Sequence, residues 1–103
     1  GRDVEAVEAY DRAIAIQGGY VEAWYNKAVS LQNLDKPKGA LKAYDRTLEL
    51  NPDYPDALYN RAGLLLNIGE SEKAASDLKR AIELDPSLRE KAGDDESLRA
   101  LLP

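Results

Sequence analysis

VEAWYNKAVSLQNLDKPKGALKAYDRTLELNPDY, residues 21–54, is followed without a gap by PDALYNRAGLLLNIGESEKAASDLKRAIELDPSL, residues 55–88. Set one above the other, the stretches agree at Ala23/Ala57, Tyr25/Tyr59, Asn26/Asn60, Ala28/Ala62, Leu31/Leu65, Asn33/Asn67, Ala40/Ala74, Arg46/Arg80, Glu49/Glu83, Leu50/Leu84 and Pro52/Pro86, eleven identities in 34 positions. The first twenty residues fit the same frame: Ala6, Ala9, Tyr10, Asp11, Arg12 and Tyr20 recur as Ala40, Ala43, Tyr44, Asp45, Arg46 and Tyr54. One unit is therefore written about two and a half times. A repeat of this length encodes one supersecondary unit per copy, and neighbouring copies share a core that a single copy cannot build alone. Such arrays usually work as surfaces for partners.

Within the first full copy, Trp24, Ala28 and Leu31 are spaced by four and three, which places them on one stripe of an α-helix. Leu58, Ala62 and Leu65 repeat the stripe. Asp35 and Gly69 then interrupt the pattern at equivalent positions, and both residue types tolerate the left-handed conformation that ends helices. Pro37 stands where a second helix can begin, because its missing N–H is harmless in the first turn. Ala40, Tyr44 and Thr47 form the next stripe, matched by Ala74, Leu78 and Ala81. Pro52 and Pro86 disfavour helical geometry at Asn51 and Asp85 and close each unit. Each repeat thus reads as a helical hairpin.

A hairpin of 34 residues carrying Trp24, Ala28, Leu31, Ala40, Tyr44 and Pro52, then Leu58, Ala62, Leu65, Ala74, Leu78, Ala81 and Pro86, resembles the tetratricopeptide repeat family. The resemblance covers residues 1–88 and implies an all-α fold, a right-handed α-solenoid of antiparallel helical hairpins. Residues 1–20 are then the second helix of a truncated repeat, 21–54 and 55–88 are full repeats, and 89–103 form a C-terminal capping helix or tail. Three positions depart from the family pattern. Lys27 and Arg61 replace a frequent Leu on the flank of the apolar stripe, where a long stem covers packing surface while its charge reaches water. Thr47 stands where Ala is usual, and its hydroxyl can bond back into its own helix. Asp35 replaces the turn glycine.

In the C-terminal segment, Ser87 and Glu90 have capping-box spacing for a short helix that Gly93 can stop. Asp94 and Asp95 can cap a further helix carrying Leu98, Leu101 and Leu102. A solvating end cap is the favoured reading over a detachable acidic-leucine peptide. At the other end, the chain begins at Gly1 without Met and in mid-repeat, as expected of a fragment excised from a longer array. The helix over residues 3–16 lacks its hairpin partner, so Val4, Val7, Tyr10 and Ile14 cannot all be covered. A weak homodimer through residues 3–16 is the expected consequence.

At 103 residues the chain holds one domain at most, and every repeat must contribute to its core. It contains neither Cys nor His, which removes disulfides, thiolate ligands, imidazole bases and most transition-metal sites. No catalysis and no cofactor are expected. The net charge of −5 contains no basic reservoir, since residues 1–20, 21–54, 55–88 and 89–103 carry −2, 0, −2 and −1. Proteins that live on phosphate contacts need clustered Lys and Arg, so neither nucleic acid nor an anionic membrane is an expected partner. No apolar run approaches the roughly 18 residues of a membrane span, and no leader resembles a signal peptide. The chain reads as soluble, and cytoplasmic residence is expected.

In the family, the first helices of successive hairpins line a concave groove. The helical wheel reaches the same residues independently: opposite the Trp24/Ala28/Leu31 stripe lie Glu22, Tyr25, Asn26, Val29, Gln32 and Asn33, and in the second copy Asp56, Tyr59, Asn60, Gly63, Leu66 and Asn67. Asn26 and Asn60 can donate and accept hydrogen bonds to a peptide backbone, while Tyr25 and Tyr59 offer flat area with a polar tip. A protein or peptide partner in this groove is the expected function. The alternative is a structural or self-associating repeat unit, in which the Tyr-Asn pairs serve contacts between adjacent repeats.

One use of the family, a carboxylate clamp built from Lys, Asn and Arg for a chaperone tail, does not fit. Asn26 is followed by Asp56 and Asn60 where the clamp needs basic residues, and Tyr25 and Val29 stand in the upstream positions. Glu22 and Asp56 favour a neutral or basic ligand instead. Lys38, Lys42 and Arg46, spaced by four on the second helix, read as a solvated outer face neutralised by Asp45 and Glu49 three residues after Lys42 and Arg46. Asp94, Asp95 and Glu96 lack the glycine and distal glutamate of a calcium loop, so helix capping is the better account.

Overall fold

A computed structural model describes residues 2–103, which carry seven helices and divide into two compact units, the first ending at Pro52 and the second running over Asp53–Pro103. The first unit contains α1 (Arg2–Ile16), α2 (Val21–Asn33) and α3 (Pro37–Leu50). Both α1 and α3 pack on α2. Pro37 occupies the first turn of α3, where its ring is preorganised for the helix.

Small residues set the approach of α2 to α3. Ala28 and Ala40 are fully enclosed, Ala43 is nearly so, and Tyr44, Thr47 and Leu48 complete the core. The Thr47 hydroxyl donates to the Ala43 carbonyl over 2.8 Å, so a buried polar atom is satisfied within its own helix. Trp24 departs from the expected stripe. It is only half-buried, and its indole N–H donates to the Gly18 carbonyl at 2.8 Å. That bond ties the ring back to the turn that precedes α2.

The same turn chemistry ends α2 and its counterpart. Asp35 adopts φ 57°, the Asp35 N–H donates to Gln32 O (3.0 Å) and the Lys36 N–H to Leu31 O (2.9 Å). Gly69 adopts φ 88°, with Gly69 N–H to Leu66 O (3.1 Å) and Glu70 N–H to Leu65 O (2.8 Å). Both are Schellman closures that satisfy the terminal carbonyls of the helix. Asp35 performs with a side chain what Gly69 performs without strain.

The second unit contains α4 (Pro55–Asn67), α5 (Ser71–Leu84), α6 (Leu88–Asp94) and α7 (Glu96–Arg99). α5 packs along α4 through Leu58, Ala62, Leu65, Ala74, Leu78 and Ala81, all buried. α7 folds back onto α4, and Leu98 is left 2% exposed.

The C-terminal segment differs from expectation in three details. Ser87 makes no side-chain cap to α6; its hydroxyl donates to Asp85 at 2.7 Å, because Asp85 captures the turn first. Gly93 lies inside α6, and the stop comes at Asp95, which turns extended and accepts from the Ser97 and Leu98 N–H groups at 3.0 and 3.2 Å. Leu101 and Leu102 lie beyond α7. Among the described residues no helix is long and apolar enough to cross a membrane.

Candidate partner-binding faces

On α2 the expected contact residues divide into open and engaged. Glu22, Asn26 and Asn33 are exposed, and Tyr25, Val29 and Gln32 are half-buried. Tyr25 leans on Tyr44 of α3, with ring centroids 6.3 Å apart and tilted by 56°, a favourable offset geometry. Gln32 accepts the Tyr44 hydroxyl at 2.7 Å, so its carboxamide oxygen serves the hairpin. Asn33 makes a long 3.5 Å contact to the Asp3 carboxylate of α1. Asn26 and Glu22 are therefore the polar side chains most open to a partner on this helix.

On α4 the same positions are less open. Asp56 and Asn67 are exposed, while Asn60, Gly63 and Leu66 are half-buried. Tyr59 is 6% exposed, which removes it from the expected contact surface. Lys91 of α6 stands with its ammonium 4.7 Å from the ring centroid, so the polar C-terminal segment takes the face that Tyr25 leaves half-open. Where a Cβ would stand on Gly63 there is open space, so this position offers backbone and room. The paired Tyr-Asn ladder is thus asymmetric.

Burial holds the Tyr59 phenol above its ordinary value of 10.0, and the carboxylates of Asp95 and Asp94 add to the shift. Since the unfolded phenol ionises first, the stability linked to Tyr59 is fully present below about pH 10 and declines as pH rises above it. Tyr59→Phe is expected to flatten that alkaline decline without changing stability at neutral pH. Denaturant melts of both proteins on either side of the transition check this, and parallel declines would refute it.

Two cations expected to reach water are paired instead. Lys27 holds Asp11 of α1 at 2.6 Å and lies 5.3 Å from the Trp24 ring centroid. Arg61 grips Asp77 of α5 with two bonds, Nε to Oδ2 at 2.6 Å and Nη2 to Oδ1 at 2.9 Å, with both side chains largely buried. A signal for the second pair exists in the repeat itself, because Lys27 and Ala43 change together to Arg61 and Asp77 between copies. Of the outer cations, Arg46 meets Glu49 at 3.7 Å as the spacing suggests. Lys42 and Arg46 also line a cavity among α1, α2 and α3 that the sequence did not announce.

Antiparallel helical hairpins with alanine at their crossings define a helical-repeat protein. A family model described as tetratricopeptide repeat matches residues 25–88, and the chain belongs to this family. Solved structures share the fold. MamA is 23% identical with a TM-score of 0.86, over 98% of this chain and 57% of that one. The Yersinia enterocolitica type III secretion chaperone SycD, in complex with a peptide of the translocator YopD, is 20% identical with a TM-score of 0.84, over 98% and 80%. The first repeat domain of Spaghetti (RPAP3), bound to the HSP90 peptide SRMEEVD, is 21% identical with a TM-score of 0.81, over 97% and 74%. The chain spans little more than half the length of MamA. A search of curated protein sequences finds no significant match.

Proposed function

We propose that the protein is an interaction module that holds a neutral or basic peptide segment on the exposed face of a first helix, α2 in one unit or α4 in the other. The observation that carries this reading is the sidedness of the first helices. Ala28 and Ala62 are wholly enclosed on one side, whereas Glu22, Asn26, Asp56 and Asn67 stand exposed. Exposed amides can pair with a peptide backbone, and shallow apolar relief is provided on α2 by half-buried Val29 and on α4 by half-buried Gly63 and Leu66. The peptide complexes of SycD and RPAP3 support such a role for the fold. The acidic SRMEEVD tail is a poor ligand for this chain, because Glu22 and Asp56 would repel it and Asp56 and Asn60 stand where a clamp needs basic residues.

The test is a pull-down with the full-length protein against Asn26→Ala. Asn26 is exposed, so the melt should hold within about 0.5 kcal/mol, the range of surface substitutions. Partner affinity should fall by about tenfold, as for the loss of one well-used polar contact. Unchanged partner capture at unchanged stability would overturn the assignment, and a large stability loss would make Asn26 structural.

A second reading has its own observation. α1 fully buries none of its residues, and Val4 and Ile16 are 45% and 89% exposed. That surface suits self-association through residues 3–16, which a concentration series in sedimentation separates from the first reading.

A further inference from the structure

The stripe Lys38, Lys42 and Arg46 has the spacing of a solvated helix face, yet two of its members border an apolar recess. A cavity of about 580 Å³ lies within the first unit, its walls formed by Val7 of α1, Trp24 and Leu31 of α2, and Ala43 of α3. It lies on the side of α2 opposite Asn26 and Asn33. Gly39 keeps it open. A Cβ on Gly39 would come within 3.3 Å of Leu31 Cδ1, so a side chain there would push Leu31 into the space.

The charges around the recess are unevenly matched. Lys27 is occupied, held by Asp11 at 2.6 Å and resting over the Trp24 ring. Arg46 meets Glu49 at 3.7 Å, between side chains 43% and 64% exposed, a contact that contributes little and is easily displaced. Lys42 and Arg46 stand one turn apart on the same face of α3, a like-charge spacing that a bound anion relieves. An apolar floor with two available cations at its edge asks for a ligand that is greasy at its centre and anionic at its margin.

We propose that this cavity docks an acidic, leucine-bearing helical segment of a partner protein. Leucine side chains one turn apart would fill the floor against Trp24 and Leu31, while carboxylates at the same helical spacing meet Lys42 and Arg46. The chain's own acidic-leucine tail is not the occupant, since Leu98 is 2% exposed within the second unit and would have to be extracted. Nucleic acid is a poor match for two cations on a chain of net charge −5. This site lies on the side of α2 away from the exposed Asn26 face and prefers the opposite charge.

Trp24 is the only tryptophan in the chain and lines the cavity, so its emission reports occupancy directly. The probe is a synthetic helical peptide with leucines on one face flanked by glutamates, compared with a version carrying lysine in place of every glutamate. The acidic peptide should shift Trp24 emission saturably, with affinity falling as salt rises. The Lys42→Glu/Arg46→Glu variant should bind about tenfold or more weakly, and Lys38→Glu, on the same stripe outside the cavity, within about twofold of the parent. Circular dichroism of each variant excludes unfolding as the cause, and a folded Gly39→Leu variant should lose the response by filling the recess. Absence of a Trp24 response, equal binding of the lysine peptide, or equal weakening by Lys38→Glu would overturn the proposal. A response to decanoate without one to the acidic peptide would overturn it also, because the site would then serve a small amphipathic anion.

Discussion

Arg61→Ala is expected to destabilise the protein by about 3 kcal/mol, the lower end of the range for removing one partner of a buried ion pair. The cost arises from what remains. Asp77 is 8% exposed and accepts two guanidinium bonds from Arg61 across α4 and α5. Without them its carboxylate stays in a poorly hydrated place. Asp77→Ala should cost less, because the long Arg61 side chain can turn its charge toward water. The double change Arg61→Lys/Asp77→Ala imports the combination that the first copy carries as Lys27 and Ala43, and it should be better tolerated than Arg61→Ala alone. Urea unfolding of the three variants decides the matter. A loss below about 1 kcal/mol for Arg61→Ala would place the pair among ordinary surface ion pairs.

Leu98→Ala tests whether the C-terminal segment is a fixed cap. Its side chain is nearly enclosed in the second unit, on a helix that Asp95 starts with two backbone bonds. Truncating a buried leucine costs about 2–5 kcal/mol when the surrounding structure must remain in place. A cap integral to the unit should show that full loss, with faster amide exchange throughout α4 and α5. A detachable segment would behave differently. Its loss could not exceed its own docking free energy, so the melt would hardly move while exchange accelerated only in α6 and α7. The first outcome is expected, because Leu88, Ala92 and Leu98 are all buried and α7 packs on α4.

The 34-residue period, the alternating four and three spacing and the paired prolines determined the hairpins by themselves. These signals are local: a stripe of Ala28, Leu31, Ala40 and Tyr44 has one way to be buried, and Asn51 or Asp85 before proline has little freedom to remain helical. Asp35 was legible as a left-handed terminator for the same reason, and Thr47 as a self-bonding residue. The exposed Glu22, Asn26, Asp56 and Asn67 also followed from the wheel, since a helix with one buried side leaves the other open.

Tertiary structure decided whatever depends on residues distant in the chain. Tyr25 and Tyr59 occupy the same place in the repeat, yet Tyr25 is half-buried while Tyr59 is buried with Lys91 of α6 over its ring. Periodicity says which side of a helix a residue occupies, but not which later segment returns to cover it. Lys27 and Arg61 likewise read as stems with solvated charges until Asp11 and Asp77 arrived from neighbouring helices. Capping was equally a competition: Ser87 had the spacing for a cap, but Asp85 took its hydroxyl, and the stop passed from Gly93 to Asp95. The cavity beside Trp24 is the clearest case. It exists because α1 and α3 pack on α2 without filling the space among their side chains, and a void among three helices is a property of their approach that no single stretch of sequence encodes.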